Sequence, residues 1–330
     1  MFRNNKQPEV LLIYGDTNKH LGLWNDLDND TRVELRTTGR RFLNSSPFFR
    51  RIFRPINRII GYRSCKHLIY DYHDIFRIVK KARQLVIIDG ALNVVNISEL
   101  QKCRLLNKRI KISLYLLNAM DAKSPIMNGV RPKIVKFDWD NIYTTDPKDA
   151  DNYGYKYLGF NYYSAHDIPP LTPPKKSDVF FVGGLKGGRT NMIYRLYEYL
   201  VSKGINCDFY LMPLDDKNVK RLQGVYYYNG WRPYEEVLQH VQQTKCIIEI
   251  IQGGQSGATL RYVEAVCMNK KLLTNNPNII HFPFYNPRLM KIFSSVEEVD
   301  TAWIQQEEDV NYNYKDEFSP KHFIDYLLKD

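Results

Sequence analysis

Two hydrophobic patterns alternate along the chain. Short apolar runs stop at glycine, aspartate or asparagine. Between them, apolar residues recur at three- and four-residue spacing. Val10–Tyr14, His67–Tyr70, Leu85–Ile88, Ile110–Leu117 and Lys133–Phe137 read as strands in the first half. Asp178–Val182, Cys207–Met212, Val225–Tyr228, Cys246–Ile251 and Lys271–Thr274 read as strands in the second. Thr190–Lys203 predicts a helix with Ile193, Leu196, Tyr197, Leu200 and Val201 on one face and Gly204 at its end. Pro233–Thr244, Leu260–Met268 and Ser319–Asp330 predict further helices, the last capped by Ser319 with Pro320 in its first turn. Short apolar strands separated by helices imply parallel sheets covered on both faces.

The prolines divide this alternation in two. Asp167–Pro174 (DIPPLTPP) fits neither a helix nor a central strand. The fold class read from the pattern is α/β, with two Rossmann-like domains, each built on a parallel sheet, joined by one linker. The predicted division is a first domain at 1–166, a linker at 167–177, a second domain at 178–312, and a C-terminal helix at 313–330.

Composition narrows the class. The 330 residues are 44% hydrophobic and 25% charged, enough for two packed cores. No apolar run approaches the roughly 20 residues of a membrane span, and the N-terminus lacks a signal-peptide pattern. Five widely spaced cysteines without a C-x-x-C argue for reduced thiols in the cytoplasm.

The net charge of +11 is concentrated: Arg32–Lys66 holds ten basic residues against Glu34 alone. Within it, Phe48, Phe49, Ile52, Phe53, Ile56, Ile59 and Ile60 recur at near-helical spacing, with Arg50, Arg51, Arg54 and Arg58 on the other side. That pattern suits an interfacial helix on anionic lipid, which places the protein peripherally on the inner face of the membrane. A core-facing helix with a solvated arginine face is the alternative. No nucleic-acid-binding module is recognisable, so nucleic acid is not an expected partner.

Ligands of open α/β sheets bind beyond the carboxyl ends of strands. The loop Gly183–Arg189 (GGLKGGR) offers close backbone approach through its glycines, fixed charge from Lys186 and Arg189, and a helix N-terminus. This is the chemistry of a phosphate or pyrophosphate cradle. The second loop runs from Glu249 to Glu264 (EIIQGGQSGATLRYVE). It gathers Gln252, Gln255, Ser256, Gly257 and Thr259 where a helix begins, with Arg261 and Glu264 sharing a helix face.

FFVGGLKGGR, YYYNGWRPYEEVLQHVQQTKCIIEI, QGGQSGATLRYVEAV and KKLLTNNPNI resemble the nucleotide-sugar domain of GT-B glycosyltransferases. The resemblance runs over residues 133–293 and is strongest to CgeB-like and family-4-like transferases of capsule and lipopolysaccharide clusters. It implies a GT-B arrangement, with the two parallel sheets facing each other across a cleft, an acceptor-binding domain at 1–166, a nucleotide-sugar-binding domain at 178–312, and the helix at 313–330 packing back on the first domain. It also implies a nucleotide sugar in the cleft, Lys186 and Arg189 on the diphosphate, Glu264 on the ribose at the cleft edge, and Gln252–Thr259 around the phosphate and sugar. No cofactor beyond that co-substrate is implied, and the acceptor would be a lipid-linked glycan. Retaining members carry two glutamates eight positions apart, whereas Ser256 stands eight before Glu264. An inverting reaction with a base in the first domain is therefore expected, with Asp16 and His20 as candidates and Asp89 in reserve. Asp138 and Asp140 have D-x-D spacing, but a Lys/Arg cradle for the diphosphate needs no metal. A non-catalytic glycan- or partner-binding protein and a nucleotide-sugar epimerase remain the alternatives.

Overall fold

The computed structural model describes residues 7–15, 21–38, 72–122, 124–165, 176–186, 188–213, 219–230 and 232–329. Asp16, His20, Phe48, Phe49, Arg50, Arg51, Arg54, Arg58 and the strand predicted at His67–Tyr70 lie outside these residues, as does most of the proline-rich linker.

The first unit carries β1 (Val10–Tyr14), β2 (Val33–Thr37), α1 (Tyr72–Val79), β3 (Gln84–Ile88), α2 (Asp89–Leu92), α3 (Ile97–Leu106), β4 (Lys111–Leu116), α4 (Pro125–Ile134), β5 (Asn141–Thr144), α5 (Pro147–Tyr153) and β6 (Lys156–Tyr157). The second carries β7 (Ser177–Leu185), α6 (Thr190–Ser202), β8 (Cys207–Pro213), β9 (Tyr226–Tyr227), α7 (Tyr234–Gln243), β10 (Thr244–Glu249), α8 (Leu260–Cys267), β11 (Lys271–Thr274), β12 (Met290–Ile292) and α9 (Thr301–Gln305). Helix α10 (Pro320–Lys329) closes the chain.

Among the described residues the strands form two six-stranded sheets, β2-β1-β3-β4-β5-β6 and β12-β11-β10-β7-β8-β9. Every pairing is parallel. In each sheet the first strand has its successor on one side and a later strand on the other. The order therefore reverses between β1 and β3, and again between β7 and β10. Such reversals open a crevice beyond the strand ends.

One prediction fails within the first sheet. Lys133–Phe137 is not a strand but the end of α4 and the turn after it. Ser124 caps this helix by accepting from the Ile126 amide at 3.3 Å, and Pro125 fills its first position. Met127, Val130 and Ile134 then fall on one buried helical face, so the 3.6-residue period overrides a short β-like run. The strand that belongs there is Asn141–Thr144.

α10 packs on the first unit. Phe323 sits among Trp24, Tyr115, Tyr143 and Tyr162, with ring centroids 6.4, 5.2, 5.7 and 5.0 Å away. Gln84 donates to the Leu327 carbonyl at 2.8 Å, and Arg32 pairs with Asp325 at 2.6 Å. One hydrophobic cluster runs without interruption from β1 and Trp24 through Tyr163 to Phe180 and Tyr262 of the second unit.

Candidate functional site

The carboxyl ends of β7 and β10 carry the two loops singled out in the sequence. Lys186 and Arg189 lie after β7, with α6 starting at Thr190. Gln252 and Gln255 lie after β10, joined by a turn in which the Gln255 amide donates to the Gln252 carbonyl at 3.1 Å. Arg189 spans the two loops. Its Nε and Nη2 donate to the Gly184 carbonyl at 3.1 and 3.0 Å, and its Nη1 to the Ile250 carbonyl at 2.6 Å. A Cβ at position 183 would lie 3.1 Å from Nη2, so Gly183 leaves room for the guanidinium.

No carboxylate pairs with Lys186 or Arg189 among the described residues. Burial pushes the Arg189 guanidinium down to about 10. Burial, and then repulsion from Arg189, lowers the Lys186 ammonium. Two cations held together in a half-buried place, with no acid beside them among the described residues, have the chemistry that suits an anion.

Tyr228 completes the wall, within the electrostatic reach of Arg189, Arg232 and Arg261. Arg232 lies 4.2 Å from the Tyr210 ring centroid and 5.9 Å from that of Tyr228, and it pairs with Glu236 at 2.8 Å. Sequence reasoning did not single out Tyr228 or Arg232. The available signal was aromatic–arginine spacing in YYYNGWRP, at the end of a strand.

Glu264 is not at a cleft edge. It has no exposed surface. Its Oε1 accepts from the Tyr234 hydroxyl at 2.6 Å and from Arg261, while Oε2 finds no donor among the described residues. Burial raises its carboxyl, partly offset by the Arg261 charge. Arg261 Nη1 and Gln252 Oε1 are likewise buried without a partner. Such orphaned polar atoms are costly, and several in one loop region suit a ligand that would satisfy them.

Glu249 is also buried. It accepts from the Thr259 and Thr274 hydroxyls, and burial raises its carboxyl. Thr259 then caps α8 by accepting from the Arg261 amide at 3.1 Å. These two residues hold the loop from beneath. Ser256 and Gly257 face the first unit instead, where Asp146 receives both of their amides at 2.6 and 2.9 Å.

On the first unit, Asp89 sits at the β1/β3 reversal. Its carboxylate accepts from the Gly90, Leu117 and Asn118 amides and from Asn118 Nδ2, at 2.5, 3.1, 2.9 and 2.8 Å. Burial raises its carboxyl against those bonds. Asp140 is bound by Arg104 at 2.8 Å and by the Ile112 amide at 2.6 Å, at the amino ends of the strands and away from the cleft. Among the described residues, no three His, Cys, Asp or Glu side chains gather as a metal site would require.

Two doubly wound parallel sheets, carboxyl edge to carboxyl edge, with a returning C-terminal helix, define the GT-B glycosyltransferase fold. Among solved structures, the chain is similar to an alpha-glucosyltransferase in complex with UDP-glucose and DNA containing an abasic site. The TM-score is 0.53 at 9% identity, over 97% of this chain and 99% of that one. It is also similar to an alpha-glucosyltransferase in complex with UDP, with a TM-score of 0.52 at 10% identity, over 97% and 99% of the two chains. No family model matches the sequence, and no curated protein matches it.

Proposed function

We propose that the protein is a glycosyltransferase that moves a sugar from a nucleoside diphosphate to a glycan acceptor. The observation that carries this reading is the pair Lys186 and Arg189, partly desolvated and without a carboxylate partner among the described residues, at the reversal between β7 and β10. A diphosphate there receives the guanidinium, the ammonium and the N-terminus of α6 together, so the leaving group is neutralised without a metal or other cofactor. Gln252, Gln255 and Arg261 then meet the sugar and ribose. Glu264 contributes through Oε2 once the ligand reaches it, and otherwise holds Arg261 in place. Inversion, with Asp16 or His20 as the base, remains our preferred mechanism.

The acceptor we favour is a lipid-linked saccharide of bacterial surface polysaccharide or lipopolysaccharide assembly. Arg50, Arg51, Arg54 and Arg58 beside Phe48 and Phe49 support a membrane surface as partner. So do exposed Lys80, Lys81, Lys108, Arg109 and Lys136 beside Leu105 and Val135, which are 76% and 83% exposed. No described helix is long and apolar enough to cross a membrane. DNA is the second reading for the acceptor, favoured by the net charge of +11 and by the DNA in one similar structure.

A thermal-shift screen of nucleoside diphosphate sugars, followed by product analysis with and without chelator, tests the proposal. One nucleotide should raise the melting temperature, and its sugar should be transferred in the presence of EDTA. A sugar altered without release would mean an epimerase. Binding without turnover on any acceptor would mean a non-catalytic protein. Loss of turnover in EDTA, restored by Mn²⁺, would overturn the metal-free mechanism.

A further inference from the structure

We propose that Asp146, on the first unit, is a positioning residue for transfer: it clasps the glycine-rich loop of the second unit and sets the two domains in register. The kinetic part of this inference rests on the glycosyltransferase reading. The geometric part does not.

Asp146 follows β5 and caps α5, accepting from the Lys148 amide at 3.0 Å. Only 3% of it is exposed. The same carboxylate accepts from the amides of Ser256 and Gly257, at 2.6 and 2.9 Å, and from the Ser256 hydroxyl. Four donors occupy the four acceptor directions of a carboxylate. Asp146 has no capacity left for substrate, so it acts through the loop it holds.

The backbones are fitted as closely as the side chain. A Cβ on Gly257 would lie 2.2 Å from the Thr145 carbonyl oxygen, and one on Gly254 would lie 2.6 Å from that of Asp121. Asn161 adds a bond from its Nδ2 to the Ala258 carbonyl at 2.9 Å. From the other side, Asn276 Nδ2 donates to the Ser256 and Gly257 carbonyls at 3.3 and 3.2 Å. The loop is therefore gripped by both domains. Lys186, Arg189, Gln252 and Gln255 belong to one domain, and the groups facing the acceptor belong to the other. The clasp fixes the distance between them, to which a reaction between two bound partners is steeply sensitive.

Gly257→Ala is the sharpest test. Gly257 does not use the left-handed backbone region, so its own backbone admits alanine, and the atoms nearest the added Cβ are those of Thr145 and Asp146 across the interface. Asp146→Asn presents an amide to the same N–H groups while keeping an acceptor for Lys148. A pair of labels, one per domain, should report a wider separation in both variants. Turnover should fall about tenfold to a hundredfold, while nucleoside diphosphate affinity stays within about threefold. A parent-like label separation in Gly257→Ala, or full turnover despite a wider one, overturns the proposal. A fall in nucleotide affinity matching the fall in rate would assign Asp146 to the donor site itself and overturn it too. If the parent protein binds no nucleotide, the functional reading fails, and the label separation still decides the clasp.

Discussion

Arg189→Met separates a structural arginine from a binding one. Two terms oppose each other in the unliganded protein. The side chain's three bonds to the Gly184 and Ile250 carbonyls contribute about 1 kcal/mol each, since their acceptors are neutral and the same donors bond to water in the unfolded chain. Against this, its group is held at about 10 rather than 12.5, so burying the charge costs about 3 kcal/mol. That cost is present at every pH below about 10, because the folded protein disfavours the protonated form. Methionine keeps the stem and removes both terms. Urea unfolding without ligand should therefore move by about 1 kcal/mol or less. With a diphosphate bound, the balance changes, since an anion repays the buried charge through charge-assisted bonds of about 1.5–3 kcal/mol each. Isothermal titration with the matching nucleoside diphosphate should show a loss of about 2–4 kcal/mol, or roughly 30- to 1,000-fold. Arg189→Lys should recover only part of this, because it keeps the charge and loses the fork. A variant that is more than about 3 kcal/mol less stable yet binds nucleotide normally would refute the argument and leave Arg189 as a staple between loops.

Glu264→Ala should destabilise the protein by about 3–5 kcal/mol, because Arg261 and Tyr234 lose their buried acceptor; a loss under 1 kcal/mol in urea unfolding would contradict this. Asp149 is buried beneath the Met120 amide, and burial pushes its carboxyl up to about 6 from 3.8. Its stabilisation is complete below about pH 4 and is lost as pH rises through 6. The parent should therefore lose about 2–3 kcal/mol relative to Asp149→Asn between pH 4 and 7, and parallel pH profiles would show the shift to be absent. Changing Arg50, Arg51, Arg54 and Arg58 to Gln removes four charges worth about 1 kcal/mol each near an anionic surface, so sedimentation with anionic vesicles should fall at least a hundredfold. Unchanged sedimentation would remove that segment from the membrane surface.

The two-sheet architecture was legible because buried parallel strands need continuous apolar runs, and VLLIY, LVII and CII are such runs. Lys133–Phe137 misled because five residues cannot distinguish a strand from the end of a buried helix face. β2 was hidden inside the basic segment, where an edge strand carries Glu34 and Arg36 and shows only two apolar positions. The loops of the candidate site were legible from glycine and polar residues placed after strands. What each side chain does there was not. Whether Glu264 reaches the cleft depends on Tyr234 and Arg261, thirty and three residues away, and burial of that kind leaves no trace in spacing. Asp146 was invisible for the same reason: TTDP announces a helix cap, and nothing local indicates that the same carboxylate reaches a loop 110 residues later.

The return of α10 to the first unit has a consequence for how the protein is made. The aromatic core around Trp24, Tyr115, Tyr143 and Tyr162 is closed by Phe323, about 160 residues further along the chain than Tyr162. At the usual pace of translation, the first unit emerges from the ribosome on the order of ten seconds before the residue that completes it. Meanwhile the second unit can assemble around β7 and β10 from contiguous chain. The domain synthesised last is then the first able to finish. The earlier one must keep an open aromatic surface until α10 has emerged and can return to it. A nascent polypeptide stalled before Ser319 should accordingly resist protease in its second unit while the first is still being digested.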